Sequence, residues 1–190
     1  MAHAARETEI KLAVPDARTA RGLLRSAGFR VSKRRVFETN TAFDTPELAL
    51  RRAATLLRLR QAGGVTTLTY KGPPDVGRHK SREELELEIS DARAMAGIIQ
   101  RLGLGPVFRY EKYRTEYRQA GRSGVALLDE TPVGVYLELE GSPTWIDRAA
   151  RQLGFGEHEY ITASYARLYL EWCEWHAVHA ADMVFSDRAR

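Results

Sequence analysis

Charged and apolar residues alternate with a period of two along much of the chain, the mark of strands whose two faces meet different surroundings. In Arg6–Ala13, Glu7, Glu9 and Lys11 alternate with Thr8, Ile10 and Leu12. Alternation or β-rich composition predicts further strands at Val31–Phe43, Thr55–Gln61, Val65–Gly72, Ser81–Ile89, Arg109–Gln119, Ser123–Asp129 and Gly134–Gly141, eight in all. Gly63-Gly64 predicts a tight hairpin turn with positive φ, and Gly121 to Gly124 a second turn. Cap signals place helices in the gaps. Pro15-Asp16 opens a helix that Gly28 ends, and Asp44-Thr45-Pro46-Glu47 reads as a capping box before Leu48–Ala54. Ser90 is expected to cap Asp91–Leu102, and Thr144 to cap Trp145–Leu153. A last helix is expected over Ile161–Trp175, with Tyr165, Leu168, Tyr169 and Trp172 at helical spacing. Residues 176–190 lose periodicity and are expected to form a mobile C-terminal tail after a domain spanning 1–175.

Composition narrows the class only a little. At 190 residues, without an internal repeat or a Pro/Gly/Ser-rich linker, the chain suits one domain. The lone cysteine, Cys173, has no intramolecular partner, so a reducing, cytoplasmic setting is expected. Met1 to Lys11 has no apolar signal-peptide core, and no apolar run approaches the roughly 20 residues needed to cross a bilayer. No membrane partner is therefore expected. The net charge of +4 is compatible with an anionic ligand without requiring one.

The charges inside the strands change that picture. Arg58 and Arg60 share a face, as do Lys112 and Arg114, and Glu138 and Glu140; Arg82, Glu84, Glu86 and Glu88 form a longer row. For a single strand, a solvated face explains such a row. Repetition in five strands, with signs grouped by strand, calls for partners of opposite sign across an interior. Eight strands close into a barrel wide enough for one small ligand. The fold class expected is thus α+β, an eight-stranded antiparallel β-barrel with helices packed outside. The inward cations would be Lys11, Arg58, Arg60, Lys71, Arg82, Lys112 and Arg114, and the inward anions Glu7, Glu9, Glu84, Glu86, Asp129, Glu138 and Glu140. Burying so many charges for structure alone is costly, so a ligand is expected. The bases call for a polyanion, and the oxygen-only acidic set calls for Mg²⁺ or Mn²⁺ rather than zinc.

Glu7-Thr8-Glu9-Ile10-Lys11 fits the ExExK signature of the CYTH domain, the triphosphate tunnel metalloenzymes. The resemblance continues in the family's order through Phe43-Asp44-Thr45, Arg58-Leu59-Arg60, Thr69-Tyr70-Lys71, Arg82 to Glu88, Lys112-Tyr113-Arg114, Asp129 and Glu138-Leu139-Glu140. It implies a metal-dependent hydrolase of tripolyphosphate or an organic triphosphate such as thiamine triphosphate. The alternatives are a class IV adenylyl cyclase, making cyclic AMP and pyrophosphate from ATP, or a non-enzymatic polyphosphate-binding module. By the same resemblance Lys11, Arg58, Arg60, Lys71, Arg82, Lys112 and Arg114 would grip phosphate oxygens. Glu7, Glu9, Asp129, Glu138 and Glu140 would hold one or two metals, with Glu84 and Glu86 supporting the bases. Glu9 and Lys11 are the expected catalytic pair, Glu9 as an acceptor for the proton of an attacking water. The partner is a small-molecule triphosphate. Nucleic acid is disfavoured, since the grouped carboxylates repel phosphate unless metals intervene.

Other features read as structural. Asp44 is expected to cap a helix, and Lys33-Arg34-Arg35 to be a solvated edge ahead of a tunnel rim or a nucleic-acid patch. Lys80 is placed with Gly77 and Arg78 in a mobile mouth loop. Cys173, Trp145, Trp172 and Trp175 are read as packing residues, and the five histidines (His3, His79, His158, His176, His179) as having no convergent spacing.

Overall fold

The computed structural model describes residues 4–186. The strands are β1 (Ala4–Val14), β2 (Arg30–Asp44), β3 (Leu56–Ala62), β4 (Val65–Lys71), β5 (Lys80–Ile89), β6 (Gly105–Arg118), β7 (Val125–Thr131) and β8 (Gly134–Glu140). The helices are α1 (Ala17–Ser26), α2 (Ala49–Arg52), α3 (Ala92–Arg101), α4 (Pro143–Gln152) and α5 (Tyr165–His176), with a 3-10 turn at Glu157–Glu159. The strands form a closed antiparallel barrel in the order β1-β5-β4-β3-β2-β6-β7-β8, as the alternation predicts. Closure depends on β1, whose first half pairs with β5 (Ala4↔Leu85 to Glu9↔Lys80) and whose second half pairs with β8 (Glu9↔Glu140 to Val14↔Val135). A closed sheet leaves no unpaired edge, and it turns one face of every strand into a lumen.

The outward faces bury the core. Ile10 and Leu12 of β1, Leu128 of β7, and Leu137 and Leu139 of β8 are all fully buried against Leu24 of α1 and Ile146 of α4. Each such side chain contributes about 1.5–3 kcal/mol of burial. A smaller cluster of Phe43, Leu59 and Ile99 seats α3, and another of Tyr110, Tyr165, Tyr169, Cys173 and Met183 seats α5. Gly63 and Gly64, at φ 56° and 84°, make the tight β3–β4 turn that the sequence predicts. Gly124 has a different reason. A Cβ there would lie 2.2 Å from the indole of Trp145, so the β6–β7 loop can cross that ring only as glycine.

Several local expectations shift. The N-cap of α3 is Asp91 rather than Ser90, and that of α4 is Ser142 rather than Thr144, with Pro143 in the first turn. Asp44 caps α2 from a distance, accepting from the backbone N–H groups of Leu50 and Arg51, while Leu48 itself is left-handed. The last helix starts at Tyr165, not Ile161, because Ile161 is held in two backbone hydrogen bonds to Lys11. The segment after α5 is docked rather than free as far as residue 186. Met183 is 1% exposed, its backbone bonds to Arg109 and Glu111 of β6, and the Phe185 ring sits against Phe37 and Tyr113. Trp175 is 88% exposed and packs nothing, unlike buried Trp145.

Candidate functional site

The lumen is a cavity of about 700 Å³. Period two places Glu7, Glu9 and Lys11 of β1, Arg58 and Arg60 of β3, and Lys71 of β4 on its wall. Arg82, Glu84 and Glu86 of β5, Lys112 and Arg114 of β6, and Glu138 and Glu140 of β8 complete it. Asp129 of β7 pairs in register with Arg114 and has no exposed surface.

The charges sort into three groups. In the first, ligand atoms of Glu7, Glu9 and Glu140 all lie within 4.8 Å of one another. Register causes this, since Glu9 pairs directly with Glu140 across β1 and β8. Burial, then the Glu138 charge, hold the Glu140 carboxyl well above the usual carboxylate range. Burial likewise raises Glu7, against the pull of Lys71. Glu9 goes the other way. Burial pushes its carboxyl up, but Lys11, Lys80 and Lys71 together bring it down to about 2. Its Oε1 receives Lys80 at 3.0 Å and Lys11 at 3.3 Å. The cluster thus combines one firmly ionised carboxylate with two that lack enough positive charge nearby. A hard divalent cation such as Mg²⁺ or Mn²⁺ fits that all-oxygen donor set.

The second group is a buried relay of ion pairs. Asp129 receives Lys112 at 2.8 Å, Arg114 through Nε at 2.7 Å, and the Tyr165 hydroxyl at 2.6 Å. Glu138 receives Arg114 at 2.8 Å and Lys11 at 2.9 Å. Burial opposes ionisation of both acids, and the facing cations outweigh it, leaving Asp129 low and Glu138 well below the usual range. These two acids, expected among metal ligands, are taken up in fixing three bases.

The third group is basic. Arg58 donates to Thr69 at 3.2 Å and to the Tyr110 hydroxyl at 3.4 Å, and Arg60 donates to Thr67 at 3.1 Å and Glu86 at 3.1 Å. Lys71 pairs with Glu7 and with Glu84. The Nε–H groups of Arg58 and Arg82 are buried with no hydrogen-bond partner among the described residues. A buried donor left unsatisfied costs about 1–3 kcal/mol. Arg82 Nε lies 3.8 Å from a Glu7 carboxylate oxygen, within ion-pair distance but beyond hydrogen-bond reach.

Four residues at the site escaped the reading of the sequence. Lys80 is not in a mobile loop: it starts β5, is 8% exposed, and touches Glu9. The signal was present, since Lys80 continues the alternation of Arg82 and Glu84. Glu38 of β2, buried 3.7 Å from Lys112, shares a face with Val36 and Asn40 and was also legible. Tyr110 and Tyr165 carry no such signal. Tyr165 comes from α5, and Lys11 and Lys112 lie 5.2 and 4.9 Å from its ring centre. Together with Tyr110 it closes one end of the lumen. The other end, at the β3–β4 hairpin and the start of β2, carries the exposed Lys33 and Arg34.

At the closed end, Asp147 of α4 ties several segments together. It accepts from Arg78 Nη2 at 2.7 Å and the Tyr160 hydroxyl at 3.2 Å, and its Oδ1 lies 2.7 Å from His79 Nε2. His79 precedes Lys80, and Tyr160 precedes the Ile161 that pairs with Lys11. One carboxylate outside the barrel therefore anchors the approaches to both lysines on Glu9. No described helix is long and apolar enough to cross a membrane.

Comparison with known proteins agrees with this geometry. A CYTH domain model matches residues 5–165. A protein of Methanocaldococcus jannaschii, named as a candidate adenylate cyclase, is 32% identical over 136 residues, 72% of this chain and 77% of that protein. A Pyrococcus horikoshii protein of known structure superposes with a TM-score of 0.73 at 23% identity, over 85% of this chain and 98% of that one. A Hippeastrum protein, named as a candidate adenylyl cyclase with a dominant triphosphatase activity, superposes with a TM-score of 0.61 at 18% identity, over 87% and 95% of the two chains.

Proposed function

The chain belongs to the CYTH domain family, and from that premise we propose that it hydrolyses a triphosphate inside the barrel with the help of Mg²⁺ or Mn²⁺. The observation that carries this reading is a row of bases, Arg58, Arg60, Lys71 and Arg82, lining the same lumen as a three-carboxylate cluster. Arginine supplies planar, paired donors that match phosphate oxygens. Arg58, Arg60, Lys71 and Arg82 grip the chain of phosphates. Lys11, Lys112 and Arg114, held rigid by Asp129 and Glu138, face the charge that develops on the leaving group.

Glu7, Glu9 and Glu140 would hold the metal, which when bound supplies charge neutralisation and a more acidic water. Glu9 serves this holding role better than that of proton acceptor, since a carboxyl brought to about 2 is a weak base at neutral pH. Lys11 and Lys80 fix its Oε1, which leaves Oε2 to face the cluster. Glu84 and Glu86 orient Lys71 and Arg60. With tripolyphosphate, water adds to a terminal phosphorus, the bridging P–O bond breaks, the water's proton passes to the phosphate oxygens of the products, and phosphate and pyrophosphate leave.

The 32% identity to a candidate adenylate cyclase favours a second reading, in which a ribose hydroxyl attacks and pyrophosphate departs with cyclic AMP as the product. Incubation with Mg²⁺ or Mn²⁺ and, separately, tripolyphosphate, thiamine triphosphate and ATP decides between them. Phosphate without cyclic AMP supports hydrolysis. Cyclic AMP with pyrophosphate from ATP overturns it, and turnover that persists in excess chelator overturns the metal role.

A further inference from the structure

The wall of the barrel is complete only as far as β3 reaches. β3 pairs with β2 from Glu38 to Phe43, whereas β2 starts at Arg30 and pairs with β6 from that residue on. On their other side, residues 30–36 have no strand beside them among the described residues. They form about 23 Å of free strand edge. The tip of the β3–β4 hairpin stops beside it, where a Cβ on Gly63 would stand 3.4 Å from Val36. Residues 30–35 are all exposed, Val31 to 53%. Such an edge offers a row of N–H and C=O groups to another chain. The charge around it is one-sided. Residues 17–35, which run from α1 into β2, hold seven arginines and lysines and no acid. Glu130 pairs with Arg21 and Arg35, and Glu116 with Lys33. Arg18, Arg25, Arg30 and Arg34 have no carboxylate within ion-pair distance among the described residues.

We propose that residues 30–36 dock an extended acidic segment of a partner protein, which adds to the barrel as a further strand beside β2. Main-chain hydrogen bonds hold the segment, and its carboxylates pair with the arginines that lack partners. A second copy of this chain does not fit. It would set bases against bases. Basic edges with register shifts, as β2 has between Val31 and Val36, discourage such self-pairing. The same bases select a strand of opposite charge. A nucleic acid answers the charge but has no row of amides to pair with the edge. The nearby rings of Phe29 and Tyr117 are buried and offer it no stacking face. The docking edge stands whatever the tunnel hydrolyses.

The test uses the full chain and a short fluorescein-labelled peptide of alternating Glu and Val, read by anisotropy. A second peptide carries N-methyl groups on alternate amides, which keeps every charge but prevents strand pairing. A third alternates Lys and Val. The wild type should bind the Glu–Val peptide at least about tenfold more tightly than either of the others. The variant R30E/R34E, shown folded by its thermal melt, should reverse the preference and take the Lys–Val peptide instead. Hydrogen exchange should slow at backbone amides within residues 30–36 when the Glu–Val peptide binds the wild type. Failure of that peptide to bind overturns the proposal, as does protection that falls elsewhere. Equal binding of the N-methylated peptide reduces the contact to charge and overturns strand addition. A Lys–Val peptide that binds the wild type more tightly than the acidic one overturns the choice of partner. An oligouridylate RNA that displaces the Glu–Val peptide at lower concentration than the unlabelled peptide does assigns the surface to nucleic acid and overturns it too.

Discussion

Replacing Glu9 by Gln tests whether the acidic cluster stabilises the barrel or strains it. Like charges crowd Glu9 from Glu138 and Glu140, and Lys11, Lys80 and Lys71 oppose them. The cations win, since the carboxyl is lowered from 4.5 to about 2. At about 1.4 kcal/mol per pH unit, that difference is worth about 3 kcal/mol of folding free energy. A lowered carboxyl contributes this stability above pH 4.5 and loses it as the pH falls towards 2. In Glu9→Gln Lys11 and Lys80 lie buried beside a neutral amide, which is the same lost attraction seen from the lysines and adds no separate cost. Urea denaturation in chelator, so that no bound metal contributes, should show the variant about 3 kcal/mol less stable near neutrality with an unchanged m-value. The gap should close as the pH is lowered towards 2. A variant as stable as the wild type at neutral pH, or more stable, would refute the reasoning: repulsion among Glu7, Glu9 and Glu140 would then dominate.

Two further outcomes follow from packing. Gly124→Ala puts a methyl 2.2 Å from the buried Trp145 ring; the denaturation midpoint should drop by the equivalent of about 1–3 kcal/mol, and an unshifted midpoint would show that the loop yields freely. Asp147→Asn loosens the anchor of Arg78, His79 and Tyr160. A displaced Lys80 should lower kcat about tenfold with KM little changed, and an unaltered kcat would confine Asp147 to structure.

Much of the lumen was legible because a closed barrel translates period two directly into inside and outside. Glu7, Glu9 and Lys11 needed only their spacing, and the grouping of signs by strand indicated that the charged face was not solvated. Lys80 and Glu38 obey the same rule. They were missed where the strand's start was hidden, Lys80 by the Gly77-Arg78 context and Glu38 by a row of mixed residues in β2. What the sequence could not carry was pairing between strands distant in the chain. Asp129 and Glu138 are expected as ligands from the family resemblance; the register that sets Arg114 against Asp129 brings bases onto both. Tyr165 was read as helical core, yet its hydroxyl reaches Asp129 from the end of the lumen that it closes, a contact without local signature. The docking of Met183 on β6 was hidden for a related reason, since an isolated bridge has no periodicity.

Calorimetric titration of tripolyphosphate, with Mg²⁺ present, into the wild type and into Arg58→Ala tests the central claim most directly. Arg58 lines the lumen, its guanidinium oriented by Tyr110 and Thr69. Hydrogen bonds to charged groups contribute about 1.5–3 kcal/mol, so the variant, shown folded by its thermal melt, should bind about 10- to 100-fold more weakly. Equal affinity in the two proteins would contradict the account and move the triphosphate out of the tunnel.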